Sequence, residues 1–243
     1  MNVLLEVIGF NIESCRLAQD SGANRIELCD SPGEGGTTPS LGFIRQARKL
    51  LQIPLYPMIR PRGGDFLYSA DEFSIMKADI LICKENGCDG IVSGILQSDG
   101  TVDIHRMEII CELAYPLGVT FHRAFDRVAD PLNALENIIA CGCERILTSG
   151  LKHSADNGIR LIKQLIEQSD DRIIIMPGAG IRSDNVATIA ETTGATEFHT
   201  SARKMQSGDM LYRNAAFSDS MESVTVDSDE IKKIIAVLDS LSN

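Results

Sequence analysis

The stretch Gly22-Ala23-Asn24-Arg25-Ile26-Glu27-Leu28-Cys29 decides the fold. A glycine able to take the left-handed position that ends a helix is followed by a small residue. A short run of alternating apolar and polar side chains then begins, the mark of a helix stopping and a strand starting. The same junction returns at Gly87-Cys88, Gly142-Cys143 and Gly194-Ala195, each one or two residues before a strand-like run. Working outward, eight such runs recur: Val3–Ile8, Arg25–Cys29, Leu55–Arg60, Gly90–Gly94, Val119–Arg123, Arg145–Ser149, Ile173–Pro177 and Thr196–Thr200. Helical patterning separates each from the next. Their spacing of about 22–35 residues suits β-α units joined by right-handed crossovers. The expectation is an α/β protein, a single (β/α)8 TIM barrel over residues 1–243. In it, residues 203–226 form a long loop after the eighth strand, a lid or an oligomer contact, and 227–243 the final helix. No GxGxxG follows the first run, which argues against a dinucleotide-binding fold.

Helix starts carry their own punctuation. Ser69 with Glu72 predicts a capping box, and Asp130-Pro131 predicts an N-cap followed by an N1 proline. Asp227 with Glu230 opens the last helix, whose apolar stripe is Ile231, Ile234, Ile235, Leu238 and Leu241. The repeated glycine junction also explains Cys141-Gly142-Cys143. Cys143 fills the slot taken elsewhere by Ala23 and Ala195, so this CxC is read as packing rather than a thiolate metal site. Cys15, Cys83 and Cys111 fall in helical patterns and are read the same way.

A chain of 243 residues, 44% hydrophobic and 23% charged, can bury a large core. It contains no apolar run near the roughly 18 residues a membrane span requires, and its first residues lack the layout of a signal peptide. Seven cysteines, an odd number in a chain this large, predict reduced thiols and a soluble, cytoplasmic protein. A net charge of −11 disfavours nucleic acid and anionic membrane as partners.

Strand alternation sorts inward from outward residues. Glu27 and Cys29 are expected inside the barrel, with Ile26 and Leu28 against the helices. Met58, Arg60, His122, Glu197 and His199 are expected inward on the same grounds, with Glu6 and Ser93 on the first and fourth strands. Barrel interiors are normally Val, Ile and Leu, so these polar residues form either a self-satisfied ion network or a functional pocket. The following loops add Arg62, Asp65, Arg123 and Asp126, and the three rim arginines Arg60, Arg62 and Arg123 suit a carboxylate or phosphate. Gly178-Ala179-Gly180 after the seventh strand, beside Ser201-Ala202-Arg203, suits an anion held by backbone N–H groups.

Several of these segments resemble the copper homeostasis protein CutC family. They are Arg25–Cys29, Gly35-Gly36-Thr37-Thr38-Pro39-Ser40, Met58–Ser69, Phe121–Asp126, Leu147–Gly150 and Glu197–Ala202, and the likeness runs from about Val3 to Arg203. The resemblance implies a barrel, a cytoplasmic setting, a role in copper handling and Cu(I) binding in some members. Ala179 stands where many relatives carry glycine, and little beyond Arg203 is recognisable.

Two readings of function follow. In the first, the protein binds copper(I), an ion that prefers soft ligands. Cys29 is then the metal ligand, with Met58 or Met176 and a histidine assisting. In the second, it is a barrel enzyme acting on a small anionic substrate. Glu6, Glu27, His122 and Asp126 then form the catalytic set. Arg60, Arg62, Asp65, Arg123, Ser149, Gly178, Gly180, His199 and Ser201 bind the substrate. Ser93 and Ser149 have no His–Asp partners that would make them nucleophiles. Homo-oligomerisation accompanies either reading.

Overall fold

The junctions expected from the sequence form as read. Gly22, Gly87, Gly142 and Gly194 take φ of 99°, 70°, 89° and 76°, the left-handed region in which a side chain would be strained. The computed structural model describes residues 3–214, 216 and 220–241. Its parallel strands are β1 (Leu4–Gly9), β2 (Arg25–Leu28), β3 (Leu55–Pro57), β4 (Gly90–Ser93), β5 (Gly118–Phe121), β6 (Arg145–Thr148), β7 (Ile174–Pro177) and β8 (Glu197–Thr200). Between them run α1 (Ile12–Asp20), α2 (Leu41–Leu50), α3 (Ala70–Glu85), α4 (Ile104–Ala114), α5 (Pro131–Ala140), α6 (Ala155–Ser169) and α7 (Val186–Thr193), and α8 (Ser228–Leu241) follows the last.

Backbone pairing orders the strands as two parallel sheets, β3-β2-β1-β8 and β4-β5-β6-β7. A parallel bridge between Met58 and Val92 joins them on one side, where the Ile59 N–H donates to Val92 O at 2.7 Å. On the other side the Thr200 hydroxyl donates to Ile181 O, in the loop after β7, at 2.9 Å. The strands therefore come round in chain order, the (β/α)8 barrel arrangement. Leu5, Val7, Ile26, Leu28, Phe121, Ile146 and Phe198 face out into one apolar core shared with the helices.

Helix starts are capped where expected at all three sites. Ser69 and Glu72 form a reciprocal capping box. Asp130 accepts from the N–H groups of Leu132 and Asn133, ahead of Pro131. At α8, Asp227 accepts from the Asp229 and Glu230 N–H groups. Glu230 does not return to the cap: its carboxylate accepts from Ser183, from both backbone and hydroxyl, and ties α8 to the loop after β7.

Two expectations change. Residues 203–226 are not one irregular loop, because an antiparallel ribbon pairs β9 (Arg203–Gln206) with β10 (Ser223–Val226). It is tied to α1 by Asn11, whose amide donates to Val224 O at 2.7 Å. Part of the connection, residues 215 and 217–219, lies outside the described residues. In β4 the inward residue is Val92, not Ser93. Val92 packs inside with Ile8, Cys29, Tyr56 and Met58, while the Ser93 hydroxyl donates to Ile59 O at 3.2 Å. Gly90 and Gly94 share the inward face, where a Cβ would strike the Tyr56 ring and the His122 imidazole respectively.

The seven cysteines are free thiols. Cys141 and Cys143 are buried at the α5–β6 junction, with the Cys143 sulfur 3.7 Å from that of Cys111.

The lower half of the barrel interior is an ion network. Arg25 pairs with Glu6 at 2.5 Å and with Glu197 at 2.7 Å, and Arg145 pairs with Glu197 at 2.6 Å and with Glu144. Both guanidiniums stack over Tyr56, whose hydroxyl donates to Glu144 at 2.7 Å. Arg25 and Arg145 were not singled out in the sequence, although Arg25 lies two residues before Glu27 and so on the same strand face. Removing one partner of a buried pair strands the other charge, which typically costs about 3–5 kcal/mol. Arg145→Met is therefore expected to lower unfolding free energy by about that amount in urea titrations. A loss below about 1 kcal/mol would mean that the network contributes no more than a surface pair.

Candidate functional site

Above this network the upper interior opens into a cavity of about 200 Å³ at the C-terminal ends of the strands. Alternation brings Glu27 from β2, Met58 and Arg60 from the end of β3, His122 from the end of β5, Leu147 from β6 and His199 from β8 to its wall. Ile8, Phe10 and Phe66 supply apolar wall that the sequence had not marked.

Arg60 is 5% exposed. Its terminal nitrogens donate to the carbonyls of Glu34 and Gly36 at 2.7 and 2.8 Å, and of Gly64 at 3.0 Å, locking the loops after β2 and β3 together. No carboxylate pairs with it among the described residues, and its Nε is buried without a partner. The guanidinium lies over Phe66 at 4.9 Å.

His122 is held in one tautomer. The Ala124 N–H donates to its Nδ1 at 3.2 Å, so the ring proton stands on Nε2, which is buried and unpartnered. Burial, reinforced by the Arg60 charge, pushes its pKa down to about 3, and the ring is a neutral N–H donor at physiological pH.

Glu27 and His199 form a linked pair. His199 Nδ1 meets Glu6 at 2.8 Å and its Nε2 lies 3.9 Å from Glu27. Burial opposes charging of His199, but Glu27 and Glu6 outweigh it and raise its pKa. Glu6 also faces burial, yet Arg25 and His199 hold its pKa down to about 2. Burial pushes Glu27 up to about 7, with His199 pulling against it and Glu6 adding like-charge repulsion. One Glu27 oxygen accepts from the Cys29 thiol at 3.6 Å, and the other is buried with no partner.

At the far wall, Ala179 and Gly180 both take left-handed φ, 70° and 81°. The N–H groups of Ala179, Gly180 and Ser201 have no acceptor among the described residues, and all three residues line the cavity. Unpaired backbone N–H groups in such a turn are available to an anion. Ala179 adopts this shape without being glycine.

Other expected residues sit elsewhere. Arg62 and Asp65 pair with each other at 2.9 Å on the exposed β3 loop, and Arg62 also holds Glu72 and the Leu67 carbonyl. Asp126 is a buried organiser of loops: its carboxylate accepts from the Thr148 hydroxyl, the Ser149 and Leu151 N–H groups and Arg123. Ser149 is absorbed into that cluster, while Arg123 reaches the cavity wall. Gly178 is a packing position, since a Cβ there would strike Leu147 and His199. Glu6 lies below the cavity floor in the ion network.

Cys29, the expected metal ligand, lies inside the barrel and is not among the residues that line the cavity. It is fully buried, it donates to Glu27, and burial together with that carboxylate pushes its pKa well above the thiol range. A soft metal binds the thiolate, so a metal at Cys29 would have to displace this proton. Glu6, Glu27 and His199 offer ligand atoms within 4.8 Å of one another. Glu6, however, is already neutralised by Arg25, so a cation there would displace an existing ion pair.

The shifts carry a pH signature. The folded-state pKa of His122, about 3, lies below its ordinary 6.5. Its contribution to stability is thus complete above pH 6.5 and is lost as pH falls toward 3. Glu6 acts in the same direction only below its ordinary 4.5. Glu27 runs the opposite way: its contribution is present below 4.5 and is lost as pH rises through about 7. Between pH 6.5 and 4.5, the melting temperature of His122→Gln should therefore fall less than that of the wild type. Parallel slopes would mean that the imidazole charges freely in the folded state.

Comparison with known proteins agrees with this geometry. The CutC family model matches residues 3–204. The human copper homeostasis protein cutC homolog is 50% identical over 213 residues, covering 88% of this chain and 78% of its own. A CutC family protein of Parabacteroides distasonis is 46% identical over 243 residues, 97% of this chain and all of its own. A crystal structure of a Streptococcus agalactiae copper homeostasis protein CutC superposes with a TM-score of 0.79 at 35% identity, covering 82% of this chain and 98% of that one. With the barrel, its polar rim and a match over most of its length, this chain belongs to the CutC family.

Proposed function

We propose that this CutC-family protein serves copper homeostasis, the role for which its human and mouse relatives are named, by binding a small anion in the rim cavity. One observation carries the reading: the cavity has unmatched donors. Arg60 Nε, His122 Nε2 and the N–H groups of Ala179, Gly180 and Ser201 all lack protein acceptors among the described residues. Arg60 is moreover a buried cation with no counterion among the described residues, which is costly unless a ligand supplies one. Arg123 and Arg203 add positive charge at the wall of a protein whose net charge is −11. Copper then enters indirectly, the anion rather than the ion being the cavity's cargo.

A cytoplasmic setting and self-association belong to the same proposal. Seven free thiols suit a reducing compartment. Met205, Met210, Leu211 and Tyr212 stand exposed on and beside the ribbon, as a contact surface would. No helix among the described residues is long and apolar enough to cross a membrane.

Inorganic phosphate and small carboxylates are expected to raise the melting temperature. The rise should be roughly 5–10 °C at about a hundred times Kd. Arg60→Lys, which keeps the charge but removes Nε and the fork, should weaken the effect at least tenfold. An unmoved melt with every anion would overturn the reading. In the copper arm, Cu(I) titrated against a competing chelator should bind wild type and Cys29→Ala alike. A site lost in that variant would restore Cys29 as a ligand.

A further inference from the structure

The cavity holds two unpartnered buried atoms of opposite character besides its anion cradle. Glu27 Oε1 is an acceptor with nothing to accept, and His122 Nε2 is a donor with nothing to donate to. Each is held rigidly from behind. Glu27 is fixed by the Cys29 thiol and faced by His199, which Glu6 orients at 2.8 Å. His122 is fixed by the Ala124 N–H and packed on Phe66, ring centroids 4.8 Å apart. The free N–H groups of Ala179, Gly180 and Ser201 hold the other wall. A volume of about 200 Å³ has room for on the order of six waters. A three- to five-carbon anion would fit this volume, walled by the residues that carry these groups.

A carboxylate base, a neutral N–H donor and a separate anion cradle are the parts required for abstracting a proton next to a carbonyl. We propose that the cavity enolises a small hydroxy-carbonyl compound bearing a phosphate or carboxylate, with Glu27 as base and His122 as the donor to the carbonyl oxygen. This rests on the anion-binding reading and adds a reaction to it. Glu27 takes the proton from the hydroxyl-bearing carbon beside the carbonyl. The C–H electron pair becomes a carbon–carbon double bond, and the carbonyl π pair moves onto its oxygen, which accepts from His122 Nε2. Glu27 then returns the proton. Return to the same carbon gives exchange with solvent; return to the neighbouring carbon gives isomerisation, the hydroxyl proton passing between the two oxygens through His122. No oxidant, reductant or co-reactant is consumed. Glu27 and His122 are the catalytic residues, and Glu6 and His199 are positioning residues for Glu27.

The test is deuterium incorporation from D₂O followed by proton NMR on the full chain. Dihydroxyacetone phosphate is the phosphate probe and hydroxypyruvate the carboxylate probe. The expected result is loss of the carbon-bound proton signal of at least one probe, at least tenfold faster than in buffer. Glu27→Gln should reduce the rate to background while keeping the ligand-induced melting shift. His122→Gln should slow exchange at least tenfold. The faster probe assigns phosphate or carboxylate as the anionic group. Binding of both probes without exchange overturns enolisation and leaves the anion site standing. Exchange undiminished in Glu27→Gln overturns the assignment of the base. Absence of any melting shift overturns the anion site and this inference together.

Discussion

The pairing of Arg25 and Arg145 with Glu6 and Glu197 is the interaction on which the rest of the interior depends. Two carboxylates and two guanidiniums inside a barrel would each be prohibitive alone. At 2.5–2.7 Å they neutralise one another and fill the lower layers where branched aliphatics are usual. Because these four charges are spent on each other, the charges above them are not. Glu27 and Arg60 are left at the cavity wall, one 3.9 Å from His199 and the other without a carboxylate among the described residues.

The inward polar residues therefore divide into two layers, an ion plug below and, above it, the cavity to which the proposed function belongs. The lower layer satisfies its own charges. The upper layer leaves defined atoms unsatisfied: one carboxylate oxygen, one imidazole N–H, one guanidinium N–H and three backbone N–H groups. Native interiors rarely tolerate such atoms without a partner. The rim loops are built around them. Arg60 locks two loops by their carbonyls, Asp126 gathers the turn after β6, and the left-handed Ala179–Gly180 turn lines the cavity.

The same layering bears on the copper question. The soft side chains closest to the site, Cys29 and Met58, belong to a small apolar cluster inside the barrel with Ile8, Tyr56 and Val92. Burial and the neighbouring Glu27 carboxylate raise the pKa of the Cys29 thiol. The upper layer's unpartnered atoms are a carboxylate oxygen and N–H donors rather than sulfur, which is why the proposed function is built on an anion.

Much of this was legible in the sequence. The glycine-small junctions and the period-two runs are local devices, so they read directly as eight β-α units and as the inward placement of Glu27, Arg60, His122 and His199. Alternation could equally have shown Arg25, two residues before Glu27. What failed was whatever depends on distant neighbours. Val92 rather than Ser93 turns inward because Tyr56 and His122 occupy the space that Gly90 and Gly94 leave open. Arg62 and Asp65 pair with each other on the surface, and Glu6 belongs to the network rather than the cavity. By itself, then, the sequence determined the barrel and its polar face, since helix stops and strand alternation are written within a few residues. Only the tertiary structure decided which charges cancel and which remain for a ligand, because each pairing joins strands tens of residues apart.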